Sequence, residues 1–272
     1  MRLYPIINRA AGGWEDFLSA VAFLSRLAPS RDANFGSALA WFGVAGLCVG
    51  AVASLGAWLA HAAAIGIGRA AGPVAALIGG LAWISLEIWL TRGLHWDGCA
   101  DLADALGSGA RGERFWQIMK DSRLGAFGAL ALILGTLAQL LFVAARFCDP
   151  PANPAPALAL LSLACAWGRL APLWLAARAR PRPGGGLGRL VCENLSPRLR
   201  LASYINALCV LGAALLLGAG TVGVALIAAG QIALIAWLAR VARRVGGLSG
   251  DFFGAAVEGS QGLFLCLAAI PC

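Results

Sequence analysis

Asp97, Asp101 and Asp104 stand at i, i+4 and i+7 in the run LHWDGCADLADAL, so a helix through them carries three carboxylates on one face. Asp121 follows in MKDSR; His95, one of two histidines, and Lys120, the only lysine, lie in the same stretch. Like charges so placed repel, and their oxygens are the ligands that a hard divalent cation requires. Magnesium is commonly held by one or two carboxylates together with substrate phosphates, and paired ions steady the entering and leaving oxygens of a displacement at phosphorus. The spacing points to metal-assisted phosphoryl transfer, with Asp97, Asp101, Asp104 and Asp121 as candidate ligands. His95 is a candidate general base, or an outer partner that orients Asp97. Lys120 and Arg123 flank Asp121 and can neutralise phosphate oxygens, unless they only pair with it. The blander reading makes the acids helix caps and partners of Arg111, Arg114 and Arg123.

The chain that must position this cluster is built for a lipid bilayer. Its 272 residues are 60% hydrophobic and 12% charged, with a mean hydropathy of +0.79. Spans are expected near 37–63, 74–94, 125–147, 157–177, 201–217, 222–238 and 255–272, the last weakened by Glu258. Before them, residues 14–27 place Trp14, Phe17, Leu18, Val21 and Leu24 at helical spacing, with Glu15, Asp16 and Ser25 on other faces. That pattern suits a helix lying along the interface. The expectation is an all-α polytopic membrane bundle of about seven transmembrane helices plus the interfacial helix. It forms one domain, 1–272, with the acidic segment at 95–123.

The eight cysteines show neither CxxC nor Cys/His metal spacing, and most sit in apolar runs as small hydrophobes. A net charge of +8 invites a nucleic-acid reading, but no aromatic-plus-basic module accompanies it. The charge is instead a topology signal. With the N-terminus inside, eighteen of the 21 basic residues fall in segments on one side; Arg69 and Arg146 fall on the other, and Arg169 lies within a span. By the positive-inside rule the acidic segment faces the cytoplasm. So do the arginine- and glycine-rich segments 178–200 and 240–254, the second containing Asp251. Glu87 is an ionisable group inside a span, which is either a functional group or a protonated or paired glutamate near the headgroups, and Arg169 lies within another span.

HWDGCADLADAL followed by IMKDSRLGAFGALALIL resembles the signature of the cobalamin synthase (adenosylcobinamide-GDP ribazoletransferase) family. The resemblance covers nearly the whole chain, through AFLSRLAP at 22–29, GLG at 186–188 and GGLSGDFFGAAVE at 246–258. It implies a multi-pass enzyme of the bacterial inner membrane, its active site facing the cytoplasm. Such an enzyme uses Mg²⁺ to join adenosylcobinamide-GDP to α-ribazole or its 5′-phosphate. The ribose hydroxyl attacks the pyrophosphate and GMP leaves. Carried over residue by residue, Asp97, Asp101, Asp104 and Asp121 form the metal and pyrophosphate site, and Lys120, Ser122, Arg123 and Asp251 bind phosphate or substrate. The partners implied are those two substrates and the lipid bilayer, with no nucleic acid; a homo-oligomer stays open. Arg92 stands where the family usually has glycine, Ala105 where glycine commonly follows the third aspartate, and Gln261 where glutamate is frequent. The rival readings are a CDP-alcohol lipid phosphotransferase and a transporter using Glu87 and Arg169. The first wants an arginine where Asp101 follows Ala100, and the second commonly shows inverted repeats.

Overall fold

Within lipid a backbone can satisfy its hydrogen bonds only by closing them on itself, so apolar runs of this length become helices. The computed structural model describes residues 13–30, 35–67, 72–148 and 153–269. Arg2, Arg9, Arg31 and Arg69 of the charge count lie outside them. In chain order the helices are α1 (Gly13–Leu24), α2 (Phe35–Ala38), a 3-10 turn (Leu39–Trp41), α3 (Phe42–Gly66), α4 (Gly72–Thr91), α5 (Leu94–Gly107) and α6 (Gly112–Met119). There follow α7 (Ala126–Cys148), α8 (Ala155–Ala176), α9 (Leu187–Asn194), α10 (Pro197–Leu216), α11 (Thr221–Val245) and α12 (Gly250–Ala269).

Six helical stretches among the described residues are long and apolar enough to cross a membrane: Phe35–Gly66, α4, α7, α8, α10 and α11. They coincide with the first six expected spans. The seventh corresponds to α12, which has the length, 20 residues, but not the apolar composition of the six. Its Glu258, Ser260 and Gln261 are buried, because α12 packs among α5, α7, α8 and α11.

Helix α8 is the axis of the bundle, 89% buried along its apolar window against 17% for α7. Small residues let α3 press against it. A Cβ on Gly46 or Gly50 would come within 2.5 or 2.6 Å of the carbonyl oxygens of Cys165 or Ser162. Helix α1 departs from its expected amphipathic pattern. Asp16 and Ser25, which the spacing puts on faces other than the apolar one, are buried. Asp16 accepts a 2.5 Å hydrogen bond from Ser37, and the Ser25 hydroxyl donates to the Val21 carbonyl. Trp14, on the face expected to lie along the interface, is exposed. After α1, Arg26 donates its backbone N–H to Leu90 and its Nε–H to the Trp89 carbonyl, which straps the segment to the end of α4. At that end Arg92 adopts a left-handed φ of +59°, a conformation that glycine takes without strain.

The polar segments do gather at one end, as alternate crossings require. Pro181 and Leu248 form a parallel bridge between the segments that follow α8 and α11. Arg182 lies 4.1 Å above the Trp116 ring of α6, and the Trp116 indole N–H donates to the Val245 carbonyl at 2.7 Å.

A buried polar chain crosses the bundle beneath these segments. Arg169 on α8, fully buried, donates to Glu87 of α4 at 2.5 Å and also to Gln261 of α12. Gln261 donates to Gln139 of α7 at 2.9 Å, and Gln139 donates to Glu258 of α12 at 3.1 Å. Four helices are thereby held in register by one guanidinium and its partners. Removing one charge strands the other, at a cost of about 3–5 kcal/mol. Arg169→Leu is therefore expected to lower unfolding stability in detergent by about that amount. The Glu87→Leu/Arg169→Leu double variant should recover a large part of it. A single variant as stable as the parent would contradict the pairing.

Candidate active site at the crossing of α5 and α12

Helices α5 and α12 cross backbone to backbone. A Cβ on Gly98 would lie 2.7 Å from the Asp251 Cα, and one on Gly254 would lie 2.6 Å from the His95 carbonyl oxygen. Only glycine permits that approach, which sets the first turn of α12 against the acidic face of α5. Asp251 thus joins Asp97 and Asp101, and Ser249 donates to the Asp251 carboxylate at 2.8 Å. The Asp101 carboxyl is pushed up to about 6 by partial burial and then by the negative charges of Asp97, Asp251 and Asp104.

The other expected ligands are differently engaged. Asp104 turns both oxygens to the start of α7, accepting from the N–H groups of Gly125 and Gly128 at 2.8 Å each. These are among the donors that a helix N-terminus leaves unpaired, so Asp104 caps α7 across the fold. Asp121 accepts both Nε–H and Nη2–H of Arg123, at 3.0 and 2.7 Å, and its backbone N–H at 3.1 Å. That hydrogen-bonded arginine holds the Asp121 carboxyl down at about 2. Lys120, Ser122 and Arg123 are exposed in the same turn. The structure therefore brings together Asp97, Asp101, Asp251 and His95, with Asp104 behind them, and leaves Asp121 paired with Arg123 at the surface.

His95 is buried beside this crossing. Burial first and the Arg169 charge second hold its pKa well below the usual value, so the ring is neutral near pH 7. Its Nδ1 lies 3.7 Å from Glu258 Oε1, a polar contact that links the acidic rim to the buried chain below. A cavity of about 240 Å³ opens here, with Asp97, Asp251, His95 and Arg169 among its lining residues and an otherwise apolar wall from α1, α3, α8, α9 and α12.

The three crowded carboxylates, Asp97, Asp101 and Asp251, offer the oxygen donors that suit Mg²⁺. A cation there would relieve the repulsion that raises Asp101. The glycine-rich segments also pack on one another. Gly188 and Gly247 let the two basic segments interlock, since a Cβ on either would meet backbone of the other segment within 2.6 Å. Burial and the Glu258 charge push the Cys99 thiol up to about 11, so it stays protonated near pH 7. Glu258, Gln139 and Gln261 were not singled out as site residues by sequence. Their signal is faint, one polar side chain per turn or two in otherwise apolar helices.

The raised Asp101 pKa has a pH consequence. A carboxyl at about 6 when folded and 3.8 when unfolded binds more protons in the folded state between those values. Its contribution to stability is full below about pH 4 and is lost as pH rises towards 6. Thermal midpoints in magnesium-free buffer should show that fall, and Asp101→Asn should remove it. Parallel profiles for parent and variant would contradict the crowding.

Residues 16–269 match the cobalamin-5-phosphate synthase family. An adenosylcobinamide-GDP ribazoletransferase of Nitratidesulfovibrio vulgaris (strain DP4) is 40% identical over 93% of this chain and 96% of its own length. Proteins of the same name from Klebsiella pneumoniae subsp. pneumoniae and Brevibacillus brevis are 35% and 34% identical over 92% of this chain, covering 98% and 95% of themselves. No solved structure matches the chain. The match runs from α1 to the end of α12 and takes in both helices of the crossing, so this chain belongs to the cobalamin-5-phosphate synthase family.

Proposed function

We propose that the crossing of α5 and α12 is the active site of a transferase that joins adenosylcobinamide-GDP to ribazole, or to ribazole phosphate, and releases GMP. The observation that carries this reading is Asp251 set against Asp97 and Asp101 beside a neutral, buried histidine. An oxygen of the ribose forms a bond to the phosphorus that bears the cobinamide. The bond from that phosphorus to the bridging oxygen breaks, and GMP leaves with the electron pair. The family's name keeps a 5-phosphate in its product, so the attacking hydroxyl is one that carries no phosphate.

Asp97, Asp101 and Asp251 would hold Mg²⁺, which when bound supplies positive charge to the pyrophosphate. His95 takes the proton of the attacking hydroxyl. Glu258, 3.7 Å from the other side of the ring, would favour the imidazolium so formed. Arg123 and Lys120, exposed in their turn, can exchange Asp121 or solvent for phosphate oxygens, and Asp121 keeps Arg123 in place until they do. Asp104 contributes its charge and fixes the start of α7. The excess of arginine on this end of the bundle supports a cytoplasm-facing site in a bacterial inner membrane. The transporter alternative loses its main support, since Glu87 and Arg169 are each other's partners.

Purified protein incubated with adenosylcobinamide-GDP, α-ribazole and Mg²⁺ should yield GMP and cobalamin in equal amounts; no product from active substrates would contradict the reading. Asp251→Asn should lower turnover roughly 10²–10³-fold, the scale of a lost charge-stabilising group at a reacting centre. Asp121→Asn should act mainly by raising KM for adenosylcobinamide-GDP.

A further inference from the structure

The cavity beside the acidic rim has its own chemistry. It runs inward along α12 from Asp251 past Phe253 to Val257, a depth of about 9 Å at helical rise. Phe42, Pro172 and Val191 close its other sides, and Val191 is only 1% exposed. Its charged lining residues are two carboxylates at the rim, Asp97 and Asp251, and one cation, Arg169, already bound to Glu87 and Gln261. Below the rim, where Mg²⁺ would neutralise the two carboxylates, the cavity has no free guanidinium to offer a phosphate. It suits a neutral, flat, apolar group whose polar end stops at the rim.

We infer that this cavity is the acceptor subsite, which takes the bicyclic aromatic base of ribazole between Phe42, Val191, Phe253 and Val257 and leaves the ribose at Asp97 and Asp251. The inference rests on the reaction proposed above and assigns its two substrates to different places. A volume of about 240 Å³ has the scale of one aromatic nucleoside and is far too small for a corrin. Adenosylcobinamide-GDP therefore approaches from outside, its pyrophosphate towards the exposed cations of the turn 120–123 and its GDP and corrin beyond the rim. Helices α1 and α9, which contribute Phe23, Leu187 and Val191, form the outer wall of the subsite.

The test narrows the cavity and asks which substrate notices. Val191→Phe in the full-length protein should raise KM for α-ribazole at least tenfold and leave KM for adenosylcobinamide-GDP within about twofold. Equilibrium dialysis with α-ribazole alone should show the same loss of binding. Benzimidazole riboside, which lacks the two ring methyl groups, should recover most of the deficit, a rescue that misfolding would not give. Leu187→Trp, at the partly exposed start of α9, carries the same expectation should Val191→Phe fail to fold. A rise in KM for adenosylcobinamide-GDP instead would place the guanosine in the cavity and overturn the inference, as would two unchanged KM values. Parent protein that binds α-ribazole in dialysis but forms no GMP would overturn the reaction while leaving the cavity assignment intact.

Discussion

A guanidinium with no access to solvent must be surrounded by acceptors, and much of this bundle follows from that requirement. Arg169 sits on the most buried helix and takes Glu87 from α4 and Gln261 from α12 as partners. Gln139 of α7 joins through Gln261, and Glu258 of α12 through Gln139. A polar chain of this kind is costly to desolvate and specific in what it tolerates. Sliding any of the four helices by one residue would strand a buried charge or amide. Between helices in a bilayer, where apolar packing discriminates little between registers, polar contacts of this kind can fix one.

The consequence is felt one helical turn higher. With α12 fixed at Glu258 and Gln261, its glycine at 254 meets the backbone of His95 and its first turn arrives at Gly98. Two segments about 150 residues apart in sequence then share one acidic surface. Above it, the bridge between Pro181 and Leu248 and the stacking of Arg182 on Trp116 tie the loops that follow α8 and α11 to helix α6. The site is thus assembled from below by buried polar contacts and from above by interlocked loops. Asp104 serves both levels, capping α7 while adding charge behind Asp101.

What sequence made legible followed from local chemistry. Long uncharged runs located six spans, and the i, i+4, i+7 spacing put three aspartates on one helix, because both signals are contained within a few turns of chain. What approaches Gly98 lies about 150 residues away in the sequence and needed the fold. Asp104 and Asp97 are chemically alike in the sequence, and only the arrival of α7 makes one of them a cap. The burial of Asp16 was not legible for a similar reason: its partner Ser37 lies beyond the end of its own helix. Helix α12 was weak as a span because the residues that lower its hydropathy are those that bind the core. Glu87 and Arg169 could be flagged as costly from composition, whereas their mutual pairing needed the fold.

The central claim is that Asp97 and Asp251 act as one unit across the helix crossing. The direct measurement is a double-mutant cycle on turnover with Asp97→Asn, Asp251→Asn and the double variant at saturating Mg²⁺. Groups that share one function are strongly non-additive. The double variant should therefore lose little more than the worse of the two singles. If the losses multiply as for independent sites, the two carboxylates do not share a function and the account of this active site is wrong.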